Sequence, residues 1–133
     1  IDADGQHNPK LIRIMLDELS NGAYVVSSIR DKKQRIGEYL FDFYTYIFFS
    51  IRDPLCGLKA YRAEVYQDMQ AFDTFKSIGT ELLIYSSVSG YKITQIKIIT
   101  SDREDKPRFK GSVIGNYRIL RALLITIKRA LFL

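Results

Sequence analysis

Helical and extended hydrophobic patterns alternate along the chain. From Lys10 to Leu19, the apolar residues Leu11, Ile12, Met15, Leu16 and Leu19 recur at helical spacing, after an Asn8–Pro9 pair that favours a turn and a helix start. Asn21–Gly22 is a helix-stop or turn signal. Ala23–Ile29 is a short run rich in β-branched residues and predicts a buried strand. A polar, basic stretch from Arg30 to Arg35 leads into a second helix over Ile36–Ile51. Asp53–Pro54 stops that helix, because a residue before proline is disfavoured in the α region. Leu58–Tyr61 predicts a short strand and Ala63–Met69 a short helix. Gly79–Thr80–Glu81 opens a helix carrying Leu82, Leu83, Ile84 and Val88, which ends at Gly90. Tyr91–Ile99, with apolar Tyr91, Ile93, Ile96 and Ile98, is the clearest strand. After a charged loop over residues 101–112, containing Pro107 and Gly111, a last helix runs over Val113–Leu131. Its apolar stripe is Ile119, Leu120, Leu123, Leu124, Ile127 and Leu131, with Arg118, Arg121, Lys128 and Arg129 facing elsewhere. Helices alternating with strands predict an α/β fold with an at least partly parallel sheet.

Composition narrows the class. The chain has 133 residues, one domain's worth, and its 47% hydrophobic and 13% aromatic content excludes disorder as the main state. Cys56, the single cysteine, excludes a disulfide scaffold and fits a reducing compartment. The longest uncharged stretch, Leu19–Ile29, is far shorter than the about 20 apolar residues a membrane span needs. The net charge of +5 is uneven: all 15 acids precede Lys106, and Lys106, Arg108, Lys110, Arg118, Arg121, Lys128 and Arg129 follow without one. Such a basic segment commonly meets phosphate in a nucleotide, a nucleic acid or a lipid head group, the alternative being a solvated helix face.

The first residues carry candidate chemistry. Asp2, Asp4 and Gln6 fall at i, i+2 and i+4, on one side of an extended segment. Hard oxygen ligands of this kind suit Mg²⁺ or Mn²⁺, whose shell is completed by water and substrate phosphate. An EF-hand loop is excluded, since the twelfth residue counted from Asp2 is Arg13 where that loop needs Glu. An aspartyl-phosphate phosphatase is disfavoured, with Gln6 where a Thr is wanted and no apolar strand before Asp2. A nucleotide-sugar transferase would want a carboxylate pair at the end of a strand, with Ile1 as that strand's last residue, and the plain alternative is a turn with solvated carboxylates.

Several blocks together resemble one family. Asp2-Ala3-Asp4-Gly5-Gln6-His7-Asn8-Pro9 resembles the Asp-Ala-Asp-x-Gln-His-x-Pro signature of family-two inverting glycosyltransferases, in the branch of dolichol-phosphate mannosyltransferase and bacterial polyprenyl-phosphate glycosyltransferases. Val25–Arg30 resembles that branch's strand ending in Gly-Ser-Arg. Asp53-Pro54-Leu55-Cys56-Gly57-Leu58-Lys59-Ala60-Tyr61-Arg62 resembles its Asp-Pro-x-Ser-Gly-Phe-Arg-Ala-Tyr-Arg block, with Cys56, Leu58 and Lys59 as departures. Glu81–Leu83 and Gly90–Ile93 resemble the next helix and strand, and Arg103–Ser112 the basic loop that follows. The blocks come in family order and cover nearly the whole chain.

The resemblance implies the C-terminal part of a GT-A (nucleotide-diphospho-sugar transferase) fold, a mixed sheet with flanking helices. On this reading residues 1–112 are the C-terminal part of the catalytic domain, starting at the metal loop, and residues 113–133 are a basic amphipathic helix. A nucleotide-binding half of roughly a hundred residues is expected upstream. The piece alone is then expected to be inactive and marginally stable. The implied reaction moves a sugar from a nucleotide-diphosphate donor to a polyprenyl or dolichyl phosphate, with inversion. Asp2, Asp4 and Gln6 are the expected metal ligands, and Asp2, Arg103, Arg108 and Lys110 the expected donor contacts. Arg30 and Arg35 are candidates to grip the acceptor phosphate through paired guanidinium contacts. Asp53 orients the acceptor, acts as base, or caps the Asp-Pro turn. Cys56 reads as a small buried residue and His7 as a structural hydrogen-bonding one.

Residues 39–49 contain seven aromatics: Tyr39, Phe41, Phe43, Tyr44, Tyr46, Phe48 and Phe49, distributed around the helix. With Arg30, Lys32, Lys33 and Arg35 just before it, this helix is expected at a membrane interface, as is the basic final helix, the alternative being that both pack on the sheet or on the upstream half. The expected location is peripheral, on the cytoplasmic face of a membrane. The alternative function is a non-enzymatic basic module holding anionic lipid or nucleic acid. Nucleic acid is disfavoured, because the aromatics lie in a helix and not on a strand beside basic residues.

Overall fold

The computed structural model describes residues 8–33, 35–71, 79–100 and 112–130. Among these residues, five helices and three strands follow the order α1 (Lys10–Ser20), β1 (Val25–Arg30), α2 (Ile36–Phe49), β2 (Lys59–Tyr61), α3 (Ala63–Met69), α4 (Thr80–Val88), β3 (Ile93–Ile98) and α5 (Ser112–Ala130). The fold is α/β, with a small mixed sheet of order β2-β1-β3 among the described residues. β1 is central. It pairs parallel with β3, from Val25↔Ile93 to Arg30↔Ile98, and antiparallel with β2, from Val25↔Tyr61 to Ser27↔Lys59.

Alternation along β1 builds two cores, since successive side chains point to opposite faces of a sheet. Val26 packs with Met15, Ala23, Cys56, Leu58 and Ile98 on the face that α1 covers. Val25 packs with Ile51, Val65, Leu82, Leu83 and Ile84 on the face that α3 and α4 cover. α1 starts where the Asn8 side chain accepts the Lys10 N–H at 2.9 Å, and ends at Asn21–Gly22, where Gly22 takes φ +98°. Its inward row is Leu11, Met15 and Leu19, at i, i+4 and i+8, while Ile12 and Leu16 of the predicted stripe are exposed.

Two further expectations are refined. β3 is an edge strand among the described residues, and most of its residues are half-exposed with only Ile98 buried. α2 ends at Phe49 rather than Ile51. Ser50 adopts a left-handed conformation (φ 56°) and donates to the Tyr46 carbonyl at 3.0 Å, while the Thr45 hydroxyl reaches the Ile51 carbonyl at 2.9 Å. The helix thus closes on a left-handed cap before the proline can act.

α2 is polarised in the reverse of the usual sense. Glu38, Phe41, Asp42 and Thr45 face inward and are buried. Ile36, Tyr39, Leu40, Phe43 and Ile47, at i, i+3, i+4, i+7 and i+11, form one outward stripe, with Ile36 75% and Phe43 64% exposed. The aromatics therefore do surround the helix, and most of its exposed apolar residues line one face, with Phe48 (66% exposed) off it. α5 packs against the first turns of α2. The Asn116 side chain accepts the Gly37 N–H at 3.1 Å, and a Cβ on Gly37 would come within 3.2 Å of Ile119.

Phe41 is the one large apolar side chain α2 buries fully (0% exposed). Phe41→Ala is expected to cost about 3–5 kcal/mol through the cavity it leaves, read as a lower midpoint in urea unfolding with an unchanged slope.

Candidate functional site

Because β1 and β3 are parallel, their C-terminal ends open on the same edge of the sheet. That is the edge at which open α/β sheets present ligand crevices. Arg30 ends β1 there, and its main partner comes from the turn after α2. Asp53 Oδ2 accepts the Arg30 backbone N–H at 2.9 Å and Nε at 2.8 Å, and Oδ1 accepts Nη2 at 2.7 Å. Nη2 also donates to Glu38 Oε2 at 3.1 Å. The Asp53 side chain is 2% exposed and that of Arg30 16%. A carboxylate so far from water is tolerable only with a cation and well-aligned donors, and the planar fork of Arg30 supplies both. Burial works against the Arg30 charge. The Asp53 hydrogen bonds and the charges of Asp53 and Glu38 outweigh it and lift the guanidinium pKa above its ordinary value.

The turn that presents Asp53 is itself held by α2. Asp53 adopts a left-handed conformation (φ 46°), which Asp tolerates better than most residues. Its N–H donates to Asp42 Oδ1. Asp42 Oδ2 takes Lys33 Nζ at 2.7 Å and Arg52 Nη1 at 3.4 Å. The Asp53 carbonyl accepts the Cys56 N–H at 3.1 Å, and the Thr80 hydroxyl donates to the Pro54 carbonyl at 2.9 Å. The Asp-Pro turn is therefore closed by the Asp53 carbonyl, and the Asp53 side chain is directed to Arg30. Cys56 is buried as expected, with Sγ 3.1 Å from Ser28 Oγ. Ser28 gives its own proton to the Leu58 carbonyl at 2.6 Å, which leaves the thiol as donor to Ser28.

Two more contacts shape the edge. Asp31 Oδ1 accepts the Thr100 N–H at 3.1 Å and hydroxyl at 2.9 Å, tying the residues that leave β1 to those that leave β3. The Gln95 amide spans Ser27 Oγ at 2.8 Å and the Arg52 carbonyl at 2.9 Å, and its carbonyl accepts the Arg52 N–H at 3.0 Å. Arg35 stands at the N-cap position of α2 and lies on buried Gly115, where a Cβ would come within 2.8 Å of Nε. It is half-buried and has no acidic partner among the described residues.

The expected site residues thus divide into three groups. Arg30 and Asp53 are brought together and hold each other. Arg35 lies in the same corner, three residues before Glu38, with its charge unpaired among the described residues. Asp2, Asp4, Gln6, Arg103, Arg108 and Lys110, together with His7, lie outside the described residues. Among the described residues no group of three or more His, Cys, Asp or Glu could hold a metal ion. The sequence reading missed Glu38, Asp42 and the Asp31–Thr100 clamp. The signal for the first two was present: two carboxylates at i and i+4 in an aromatic helix share a face and need counter-ions. No family model matches the chain, and no curated protein or solved structure does either.

The Thr100 backbone N–H and then its hydroxyl hold the Asp31 carboxyl below its ordinary pKa. A carboxyl that is more acidic folded than unfolded adds stability only above its unfolded pKa and loses it as pH falls through the folded value. In a carbon-detected NMR titration, Asp31 is expected to ionise below the ordinary aspartate range. Thr100→Val, which removes the hydroxyl bond and leaves the backbone one, is expected to move it part of the way back.

Proposed function

We propose that the protein is a glycosyltransferase of the GT-A type that works at the cytoplasmic face of a membrane. It moves a sugar from a nucleotide-diphosphate donor to a polyprenyl or dolichyl phosphate, with inversion. In this reading the chain supplies the metal loop and the acceptor side. The observation that carries it is a meeting in space. The block ending at Arg30 and the block beginning at Asp53, 23 residues apart, both resemble the same family and are joined by three hydrogen bonds at the edge where α/β sheets bind ligands.

The chemistry follows from the groups available. Asp2, Asp4 and Gln6 form a hard-oxygen donor set that fits Mg²⁺ or Mn²⁺, and such an ion, when bound, neutralises charge developing on a diphosphate leaving group. A lipid phosphate is already an anion near neutral pH, so positioning and charge complementarity outweigh general-base help. Arg35 is the cation best placed to take that phosphate, because Arg30 and Lys33 are engaged by Asp53, Glu38 and Asp42. Arg30 and Asp53 then fix the floor on which the acceptor sits, with Nη1 of Arg30 the one guanidinium nitrogen without a described partner. Arg103, Arg108 and Lys110 are assigned to the donor diphosphate on the resemblance alone. A second reading, a non-enzymatic module on anionic lipid, is favoured by the outward apolar face of α2.

Calorimetric titration of a nucleotide-sugar panel with Mn²⁺, on the chain joined to the nucleotide-binding half expected upstream, separates the two readings. The proposal expects metal-dependent binding of at least one nucleotide sugar, abolished in Asp4→Ala. It expects Arg35→Ala to leave donor binding intact and weaken lipid-phosphate binding about ten- to a hundredfold, the worth of one charge-assisted contact. Lipid binding without any metal-dependent nucleotide-sugar binding selects the second reading.

A further inference from the structure

The first turn of α2 is built against its own chemistry. Arg35 holds the N-cap position in extended backbone and makes no side-chain cap bond. An N-cap side chain ordinarily accepts the N–H of the second or third helical residue, which a guanidinium cannot do. A cation at that position also stands against the positive end of the helix dipole. The missing acceptor comes from α5. Asn116 Oδ1 takes the Gly37 N–H at 3.1 Å, across 79 residues of sequence. The Arg35 carbonyl accepts the Glu38 N–H at 3.1 Å, so the backbone of Arg35 is anchored to the helix it starts.

Gly115 decides where the guanidinium goes. It lies near the start of α5, in helical backbone, and is not among the glycines of positive φ. Conformational freedom therefore does not call for glycine there, and alanine would suit the helix better. Space does call for it. A Cβ on Gly115 would come within 2.8 Å of Arg35 Nε and 2.9 Å of Cζ. The Arg35 side chain fills the volume that any larger residue at position 115 would take. It is held there with no acid beside it among the described residues, the nearby Glu38 being engaged by Arg30.

We propose that Gly115 and Asn116 are positioning residues for Arg35. On this account α5 fixes the guanidinium at the start of α2, and that seat sets the affinity of the corner for the phosphate monoester of a lipid. The inference rests on the reading of Arg35 as the cation that takes the acceptor phosphate. It adds that the cation is in place only while α5 is docked on α2. Docking of α5 and binding of the phosphate therefore favour each other.

The test uses the chain joined to the nucleotide-binding half expected upstream, with farnesyl phosphate as probe and inorganic phosphate as comparison. Affinity is read by isothermal titration and stability by the thermal midpoint. Gly115→Ala is expected to weaken farnesyl phosphate binding about tenfold with the midpoint unchanged or raised, because the Cβ meets only the flexible end of Arg35 and alanine favours the helix. A merely structural role would lower both together. In the Arg35→Ala background, Gly115→Ala is expected to change affinity by less than about twofold. Asn116→Ala is expected to weaken binding about three- to tenfold, and Asn116→Asp to restore it, since a carboxylate accepts the same N–H. Inorganic phosphate is expected to bind at least about tenfold more weakly than farnesyl phosphate.

Equal affinity for the two probes overturns the lipid assignment. A Gly115→Ala loss of the same size with and without Arg35 overturns the positioning role, as does an Asn116→Ala loss that Asn116→Asp fails to restore. Binding lost in Arg35→Ala but unmoved by either α5 variant overturns the inference and leaves the reading of Arg35 standing. A wild type that binds neither probe, or binding untouched by Arg35→Ala, removes that reading and the inference with it.

Discussion

The buried Arg30–Asp53 pair is the constraint from which the rest of the structure follows. Neither charge can be removed from water alone, and stripping one partner from a buried pair typically costs about 3–5 kcal/mol. That is a large part of the about 5–15 kcal/mol that holds a whole domain together. The pair joins the last residue of the central strand to a turn 23 residues later. To present its carboxylate there, Asp53 takes a left-handed conformation and gives its N–H to Asp42. Asp42 can accept only if the acidic face of α2 points inward. A helix with its polar residues committed inside has its apolar ones left outside, and that is how α2 presents them. The exposed stripe is a consequence of the internal ion network, and a defect in packing need not be invoked.

The same network sorts the cations at the ligand-bearing edge. In sequence, Arg30, Lys33 and Arg35 form one basic loop with interchangeable-looking charges. In the fold, Arg30 and Lys33 neutralise buried carboxylates, and Arg35 sits over Gly115 without one. Arginine at position 30 is used for its fork, which satisfies both oxygens of Asp53 at once, something a lysine cannot do. The Asp31–Thr100 clamp then ties the two loop origins together, so the segments leaving β1 and β3 start from fixed points.

Much of the fold was legible in the chain. Every predicted helix and strand among the described residues is present within a few residues, because each was marked by periodicity and by a chemical stop such as Asn21–Gly22 or Gly90. An at least partly parallel sheet followed from the alternation of helices and strands, and β1 and β3 supply its parallel pair. Strand order within the sheet was not legible, and so the run Tyr91–Ile99, the most strand-like in pattern, proved to be a half-exposed edge among the described residues. The meeting of Arg30 and Asp53 was hidden for a related reason: both were singled out as candidate site residues, but pairing across 23 residues is a tertiary fact with no local signature. Glu38 and Asp42 were readable as a shared face and were overlooked behind seven aromatics. The orientation of α2 depends on which face wins, the apolar one or the acidic one, and that is decided by the counter-ions of β1 and its loop.

The measurement that tests this account most directly is a double-mutant cycle across the pair. Arg30→Gln and Asp53→Asn are made singly and together, asparagine being chosen because it tolerates the left-handed conformation, and unfolding free energies are compared in urea. Each single variant should be strongly destabilised by the charge left buried, and the double variant should lose little beyond the worse single one. A coupling energy of about 2–3 kcal/mol is expected. Losses that add to within about 0.5 kcal/mol, the range seen for independent sites, would contradict the claim that this pair holds the sheet edge, the turn and the inverted helix together.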